Sequence, residues 1–404
     1  MSTEPHPDTP RHLYVHVPFC PTICPFCDFH VMERRADLVA AYLDELEREA
    51  DELAARWGPV ELETLYVGGG TPSHLRPDEL ARLTGVVRSR LGWPSAEATI
   101  EIHPSTVSAT RLAEMVDLGF DRLSLGVQSS DDDVLAELGR PHDAATALRV
   151  ADWAVATGAR VSADVISAVP GQDLAADLDA VIGTGVGQVS CYVLTIEANT
   201  PFGRQGRAVD DATALGALAT ASEALGAAGF EQYEVSSHAR PGEQCLHHHG
   251  YWANRFWLGL GPGAAAHLPG RDGVHPAGRV TAPALPSWLR GERGNIEWLD
   301  RHDHLIDFVL VGLRLLDGVD LAEAGRRSGL DPIEQLGDAL HRAVDDGLVE
   351  LAGDRLRATG EGRRILDRLT AELVSGIEAA QPLASCSGTD STLLSSPECN
   401  TTSL

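Results

Sequence analysis

Three cysteines stand close together near the start of the chain, at Cys20, Cys24 and Cys27, directly after a short apolar stretch. A structural zinc site typically uses four protein ligands arranged in pairs. A disulfide framework needs an even number of cysteines and an oxidising compartment. Three clustered thiols instead suit a cubane [4Fe-4S] cluster, whose fourth iron then stays open for a small molecule. The spacing therefore predicts an iron–sulfur site.

A glycine-rich segment and several charged side chains follow at intervals. Three successive glycines precede Thr71, and glycine lets a backbone approach a ligand closely, although such a triplet also suits a tight turn. Glu101 and Asp164 stand near the ends of predicted strands, where a carboxylate binds a ligand or caps the next helix. Arg140 is able to pair with a carboxylate in two hydrogen bonds, or to lie on a solvated face.

Three consecutive histidines form a second group, in the segment Cys245-Leu-His247-His248-His249-Gly-Tyr251-Trp252. Imidazole ligates iron, zinc and copper, so the segment invites a metal interpretation. The alternative is a solvent-exposed polar turn.

The elements that must position these residues alternate between strand and helix. Apolar residues recur at helical spacing in the helices, and the strands are short and β-rich. The predicted strands are 12–17, 62–67, 98–102, 122–127, 160–166 and 188–194, and the predicted helices are 36–58, 76–91, 106–118, 131–139, 143–157, 173–184 and 210–228. This alternation predicts an α/β fold with a parallel sheet of about six βα units, an incomplete TIM-type (β/α)6 barrel that binds ligands at the carboxyl ends of its strands.

A change of pattern near residue 300 predicts a second, smaller domain. A helical stripe, two more helices, a hairpin at 348–358 and a last helix at 361–374 indicate a winged-helix-like α+β unit. Residues 268–295 are rich in Gly, Pro and Arg and are predicted to be a linker or covering loop. The predicted divisions are a disordered tail (1–10), the partial barrel (11–240), the histidine segment with its covering linker (241–299), the C-terminal domain (300–375) and a disordered Ser/Thr-rich tail (376–404).

Composition narrows the classes of partner. The 404 residues carry a formal net charge of −27 without a basic stripe, which disfavours nucleic acid. The N-terminus lacks the apolar core of a signal peptide, and no stretch is long and apolar enough for a membrane span. We therefore expect a cytoplasmic protein, in a compartment that keeps thiols reduced.

The motifs resemble those of the radical S-adenosylmethionine (SAM) superfamily, in its coproporphyrinogen-dehydrogenase/HemW branch. The resemblance covers roughly residues 12–375 and includes Tyr-x-His-x-Pro-Phe before the cysteines, Gly-Gly-Gly-Thr-Pro, Arg-x-Ser-x-Gly-x-Gln-Ser from Arg122, and Asp164 followed by Pro-Gly-Gln. It implies that the three cysteines hold the cluster and that an electron from the cluster cleaves SAM to a 5′-deoxyadenosyl radical. The SAM-binding residues that it implies are Tyr14, Phe26, Gly69, Gly70, Thr71, Glu101, Gln128, Arg140 and Asp164. Phe19, Phe26 and Phe29 are expected to exclude water from the cluster.

The histidine segment resembles the Cys-x-His-Asn-x-x-Tyr-Trp element of HemW-type haem chaperones. By position this implies His247 as a haem ligand, flanked by Tyr251 and Trp252, with His248 standing where Asn is expected. Ser167 and Ala168 also replace the usual Tyr-Gly.

Two functions remain open at this point. The first is a haem chaperone that passes haem to an acceptor protein. The second is a radical SAM methyltransferase or cyclopropanase acting on a small-molecule substrate, or, less favoured, a coproporphyrinogen III dehydrogenase, because dehydrogenases carry another cysteine where this chain has Phe29. Phe29 and the histidine element favour the chaperone. Either function implies an electron donor such as flavodoxin or ferredoxin.

Overall fold

The computed structural model describes residues 9–58 and 60–380. Most of the two predicted tails, residues 1–8 and 381–404, lies outside this described part. Within it, no helix has the length and the apolar character needed to cross a membrane.

Strands and helices alternate through the first two thirds of the chain. The strands are β1 (His12–Val17), β2 (Phe19–Cys20), β3 (Met32–Glu33), β4 (Thr64–Gly69), β5 (Glu97–Ile102), β6 (Arg122–Gln128), β7 (Arg160–Ser167), β8 (Gln188–Val193), β9 (Glu231–Gln232), β10 (Ser237–Ala239), β11 (Trp257–Leu260), β12 (Ala265–Pro269), β13 (Ala277–Thr281), β14 (Ile296–Leu299), β15 (Val319–Asp320), β16 (Val349–Ala352) and β17 (Arg355–Ala358). The α-helices are α1 (Ala36–Trp57), α2 (Pro77–Arg90), α3 (Ala109–Asp117), α4 (Asp132–Glu137), α5 (Ala144–Ala156), α6 (Leu174–Gly183), α7 (Pro201–Arg204), α8 (Asp211–Ala227), α9 (Leu246–Trp252), α10 (Leu285–Trp288), α11 (Arg301–Gly312), α12 (Leu321–Ser328), α13 (Pro332–Asp345), α14 (Gly360–Arg364) and α15 (Leu366–Ala380).

Six parallel strands form the centre of the main sheet, in the order β1-β4-β5-β6-β7-β8. Helices connect them, as parallel pairing requires. The short strands β10 and β9 continue the sheet beside β8, and β11 pairs with β1 in parallel on the other side. The predicted incomplete (β/α)6 barrel is confirmed.

The six central strands are apolar on one face and polar on the other. Leu13, Val15 and Leu65 are completely buried in the core beneath the helices. The alternate residues, such as Tyr14 and Tyr66, lie on the opposite, concave face. Because this period-two pattern recurs in the central strands, the concave face is a polar surface suited to a polar ligand.

Several helices begin where a short polar side chain satisfies free backbone N–H groups. Ser108, Asp131, Asp143, Asp173 and Asp210 each accept a hydrogen bond from the first turn of the following helix. Such a cap stabilises a helix by about 1 kcal/mol. Each of these five helices therefore begins directly after a capping residue that is visible in the sequence.

The prediction that residues 268–295 form a linker or covering loop is wrong. Strand β13 pairs antiparallel with β12 on one side and with β14 on the other. Strand β12 in turn pairs antiparallel with β11, so this region extends the main sheet. Ala277 and Leu299 are buried there. The glycines and prolines that indicated a loop lie largely in the turns between these strands, and the strands are stabilised by pairing with neighbours instead of by their own hydrophobic pattern.

The C-terminal domain has its own core. Helices α11, α12, α13 and α15 pack around Leu305, Leu336, Leu369 and Leu373, and β15, β17 and β16 form a small antiparallel sheet that contains the predicted hairpin. The last helix continues to Ala380, so the predicted start of the tail at residue 376 is wrong by at least five residues.

Candidate functional site

The cysteine loop, which carries Cys20, Cys24 and Cys27, follows the carboxyl end of β1. Cys20 and Cys24 are buried and Cys27 is partly accessible, and none of the three forms a disulfide with another cysteine that the structure describes. Cys20 lies close enough to Cys24 and Cys27 for their charges to affect its pKa. Three thiols at the carboxyl edge of a parallel sheet form a donor set that fits a cluster ligated by three cysteines.

Contacts from the far side of the sheet hold this loop. The carbonyl oxygen of Pro25 accepts a hydrogen bond of 3.0 Å from the backbone N–H of Phe202. Pro25 also lies against Gly139, where an added Cβ would come within 2.7 Å of the proline ring. The ring of Phe26 lies 6.4 Å from that of Phe202. The loop is therefore fixed by segments more than 100 residues away in the chain.

The expected exclusion of water by three phenylalanines is only partly correct. Phe19 is buried in the core and Phe26 is partly buried, whereas Phe29 is 71% exposed. Phe29 lies beyond the turn that holds the cysteines, so it does not cover them.

Arg140 provides the positive charge beside the thiols. Its Nη1 donates to Cys24 Sγ at 3.2 Å, and its Nη2 lies 3.4 Å from the carbonyl oxygen of Gly126. Its Nε is buried and makes no hydrogen bond within the described part of the chain. A cation in this position compensates for cysteine thiolates, and the unpaired N–H fits an anionic ligand.

The thiols lie in a desolvated site. Burial raises the pKa of Cys20 to about 11, although a hydrogen bond with Thr71 and the charge of Arg140 partly oppose this. Burial also raises the pKa of Cys27. The raised pKa values favour the protonated thiols of Cys20 and Cys27 at neutral pH before metal binds, and iron must displace those protons.

The glycine triplet packs tightly between β1 and β5. Gly69 has φ of +107°, and a Cβ there would lie 2.5 Å from the His16 ring. A Cβ on Gly70 would come within 2.9 Å of the carbonyl oxygen of Val17, which accepts a hydrogen bond from the Gly70 N–H. These approaches explain why glycine is needed, and they place the segment beside the cysteine loop.

Two carboxyl groups lie at the carboxyl ends of β5 and β7. Glu101 accepts hydrogen bonds of 2.9 Å from the Tyr66 hydroxyl and from the Gly69 N–H. The Ser124 hydroxyl lies 3.4 Å from Asp164. Burial, with a smaller effect of Asp164, raises the pKa of Glu101 to about 7, and burial raises that of Asp164 to about 6. Such raised values are common at functional sites.

Tyr14 lies beside these groups on the concave face. Its hydroxyl is 2.9 Å from His16 Nδ1, and His16 Nε2 donates to the carbonyl oxygen of His30 at 3.0 Å. Burial lowers the pKa of His16 to about 4, so the ring is neutral and its Nδ1 accepts from Tyr14. This chain of hydrogen bonds connects the sheet to the cysteine loop.

Two non-glycine residues at the rim have left-handed backbones. Gln128, at the end of β6, has φ of +69° beside an irregularity in the pairing of β6 with β7. Ala168 has φ of +62°, at the position where the resembling motif has glycine. A non-glycine residue in this conformation destabilises the folded protein by about 1–3 kcal/mol.

The ring of His247 is enclosed. The residue is completely buried, its Nδ1 is 2.6 Å from the Thr64 hydroxyl, and its Nε2 is 2.8 Å from the Tyr251 hydroxyl. Both ring nitrogens therefore have protein partners. His247 as a haem ligand stays a prediction, because binding haem would require the ring to give up one of these two hydrogen bonds, and Tyr251 is the partner of its Nε2. Trp252 lies under the guanidinium of Arg314, 4.6 Å away.

His248 is the imidazole that faces the carboxyl groups. It is partly accessible, and its ring centroid lies 4.9 Å from that of Tyr66. It is close enough to Glu101 and Asp164 to lower the pKa of both. Helix α9 thus closes the amino-terminal end of the concave face and directs His248 towards the site.

A buried ion pair anchors α9. Glu97 Oε2 accepts from Arg122 Nε at 2.8 Å, and both side chains are fully buried. Glu97 also accepts from the backbone N–H groups of Leu246 and His247 in the first turn of α9. Burial alone would raise the pKa of Glu97, but Arg122 and these N–H groups hold it below its usual value. The sequence motifs did not predict that Glu97 and Arg122 anchor α9. The available signal was that each of these charged residues begins a β-strand, β5 and β6 respectively.

Comparisons with known proteins agree with this arrangement. Residues 14–180 match the model of the radical SAM superfamily, and residues 299–365 match that of the HemN C-terminal domain. The chain is 34% identical to heme chaperone HemW of Mycobacterium tuberculosis, over 92% of this chain and 96% of that protein, and 32% identical to heme chaperone HemW of Escherichia coli, over 89% and 97%. The structure of coproporphyrinogen III oxidase (HemN) from E. coli superposes with a TM-score of 0.76 at 22% identity, covering 92% of this chain and 91% of that one.

Proposed function

Because this chain belongs to the radical SAM superfamily, in the family of the HemW heme chaperones, we propose that it holds a [4Fe-4S] cluster and SAM, binds haem and passes it to an acceptor protein. The position of α9 carries the haem proposal. It directs the imidazole of His248 towards the carboxylate-lined site, and imidazole is a common haem ligand. We place the protein in the cytoplasm, because three reduced thiols are needed.

Cys20, Cys24 and Cys27 would hold the cluster, and Arg140 would compensate for their charge. When bound there, the cluster would provide the electron for reductive cleavage of SAM, and an electron donor such as flavodoxin or ferredoxin would be needed to reduce it. Glu101, Asp164 and the Gly69–Thr71 segment supply hydrogen-bonding groups for SAM, and Gln128 and Phe26 lie at the same rim. Tyr14 supports the segment through His16.

Binding of SAM is expected to weaken as the pH falls. SAM carries a net positive charge, so ionised Glu101 is its better partner. Because the pKa of Glu101 is about 7, the ionised fraction falls with decreasing pH, and affinity should fall about tenfold from pH 8 to pH 6. Isothermal titration of the reconstituted protein measures this.

Glu101→Gln should bind SAM more weakly and with a flatter pH profile, with the iron content intact. Glu372→Gln, which changes an exposed carboxylate on α15, is the matched control. An unchanged affinity and pH profile in Glu101→Gln would remove this residue from the SAM site. Asp164→Asn tests the second carboxylate in the same way.

An anaerobic haem titration, followed by the Soret band, tests the proposed function. We expect saturable binding in the wild type, loss of at least about tenfold in affinity in His248→Ala, and near-normal binding in His247→Gln, which retains hydrogen-bonding capacity. His249→Ala is the control, because this third imidazole is influenced by Asp317 and Arg255 instead of the two carboxyl groups.

Loss of binding in His247→Gln with retention in His248→Ala would show that His247 leaves its pocket to ligate haem. No saturable binding in the wild type would contradict the chaperone function. Assays for 5′-deoxyadenosine and methyl transfer would then test the enzymatic alternative.

A further inference from the structure

A second group of potential metal ligands lies far from the cysteine loop, where the sheet meets the C-terminal domain. His267 is on β12, and His304 and Asp307 are on α11. One ligand atom from each residue lies within 4.8 Å of the other two. His304 and Asp307 are three residues apart, so they share one face of their helix.

All three side chains are buried. His304 is fully buried, and His267 and Asp307 are 2% and 9% exposed. Burial of a polar group is costly unless the group has a partner.

The two imidazoles lack the partners that such burial requires. His267 Nδ1 lies 3.3 Å from the carbonyl oxygen of Arg255, but its Nε2 makes no hydrogen bond to any described residue. Neither ring nitrogen of His304 makes one within residues 9–58 and 60–380. Burial, reinforced by the charge of Arg327, keeps both rings neutral, so lone pairs are available for a metal. Three unsatisfied nitrogens in one buried cluster indicate a ligand-binding site.

We propose that His267, His304 and Asp307 bind a divalent transition-metal ion, with Zn²⁺ as the best match. Two imidazole nitrogens and one carboxylate oxygen are ligands that zinc uses, and a water molecule would complete a tetrahedral site. A site with two imidazole ligands is a poor match for Mg²⁺ and Ca²⁺, because these ions prefer oxygen ligands.

The neighbouring charges permit this assignment. Arg279 donates two hydrogen bonds to Asp307, one of them 3.1 Å long to Oδ2, and thereby orients the carboxylate. Metal-bound carboxylates are commonly hydrogen bonded in this way. Arg279 and Arg327 oppose a dication, but Asp307 pairs with Arg279, and Glu297 lies 3.8 Å from Arg279.

A surface cleft lies on the other side of Phe256 from the cluster. Phe256 lies 4.8 Å from the ring of His267 and also lines a cleft of about 280 Å³ between the β12–β13 turn and α12. A bound ion would join β12 of the main sheet to α11 of the C-terminal domain. Its role would be to fix the position of that domain, independently of haem or SAM.

Metal analysis of the full reconstituted chain tests this proposal. After equilibration with Zn²⁺ and removal of free ion, we expect about one zinc per chain beyond the cluster iron. His304→Gln and His267→Gln should each weaken zinc binding by about 100-fold or more, beyond the 10–100-fold effect of losing an outer-shell partner. His275→Gln, at a histidine paired with Asp272 in the nearby turn, should retain the ion.

Zinc bound by the cysteine loop would mimic this result, so Cys24→Ala is included. Zinc that persists in Cys24→Ala and is lost in His304→Gln supports the site. Zinc that is lost in Cys24→Ala and kept in His304→Gln overturns it, as does an absence of zinc in the wild type. X-ray absorption at the zinc edge of the wild type gives an answer that does not depend on the folding of variants. Imidazole and oxygen neighbours support the site, and sulfur neighbours overturn it.

Discussion

Replacing Cys24 by alanine is expected to abolish the visible absorbance of the cluster after anaerobic reconstitution and to reduce bound iron to background. Cys24 is buried, and its Sγ is the atom to which Arg140 donates at 3.2 Å. Loss of this thiol leaves two ligands, fewer than the three or four cysteines that hold such clusters. Iron analysis and the visible spectrum measure the effect.

Cys191→Ala is the matched control for that experiment. Cys191 is 1% exposed in the hydrophobic core, as expected of a buried small apolar residue, and it lies on β8 instead of in the cysteine loop. We expect its variant to keep the full iron content. A normal cluster spectrum in Cys24→Ala would show that Cys24 is not a ligand.

Replacing Arg122 by methionine is expected to lower the free energy of unfolding by about 3–5 kcal/mol, because it removes the fully buried cation that pairs with Glu97 and leaves only the partly exposed Arg160, 3.4 Å away, to compensate for that buried charge. Arg122 also donates to the carbonyl oxygens of Glu243 and Gln244, at 2.7 and 2.9 Å. Its loss therefore also releases the segment that leads into α9. Chemical denaturation of the full chain measures the first effect, and limited proteolysis near residue 244 measures the second.

Arg149→Met is the control for Arg122→Met. Arg149 lies on the surface of α5 and bonds to Thr146, so its loss should change stability by no more than about 0.5 kcal/mol. The stabilisation from Glu97 also has a pH signature. Because its pKa is lowered in the folded protein, this stabilisation is present at neutral pH and is lost as the pH falls through that lowered value. Equal stability of the two arginine variants would contradict the anchoring role of the ion pair.

The sequence by itself determined the order of the elements and the composition of the cysteine loop. The predicted strand 12–17 coincides with β1, and the predicted helix 36–58 ends one residue beyond α1. Both signals are local, since period-two and helical patterns arise between residues only a few positions apart. The three thiols are close for the same reason, because they lie within seven positions of one another in the chain.

Only the tertiary structure decided which side chains meet. His247 and His248 are adjacent in sequence, yet one is enclosed by Thr64 and Tyr251 and the other faces Glu101 and Asp164. The direction of each ring depends on the anchoring of α9 to β5, which is about 150 residues away in the chain. The pairing of β12 with β11 and the meeting of His267 with His304 likewise depend on how separate segments pack. Contacts of this kind have no local pattern, because their partners are set by the packing of the whole fold.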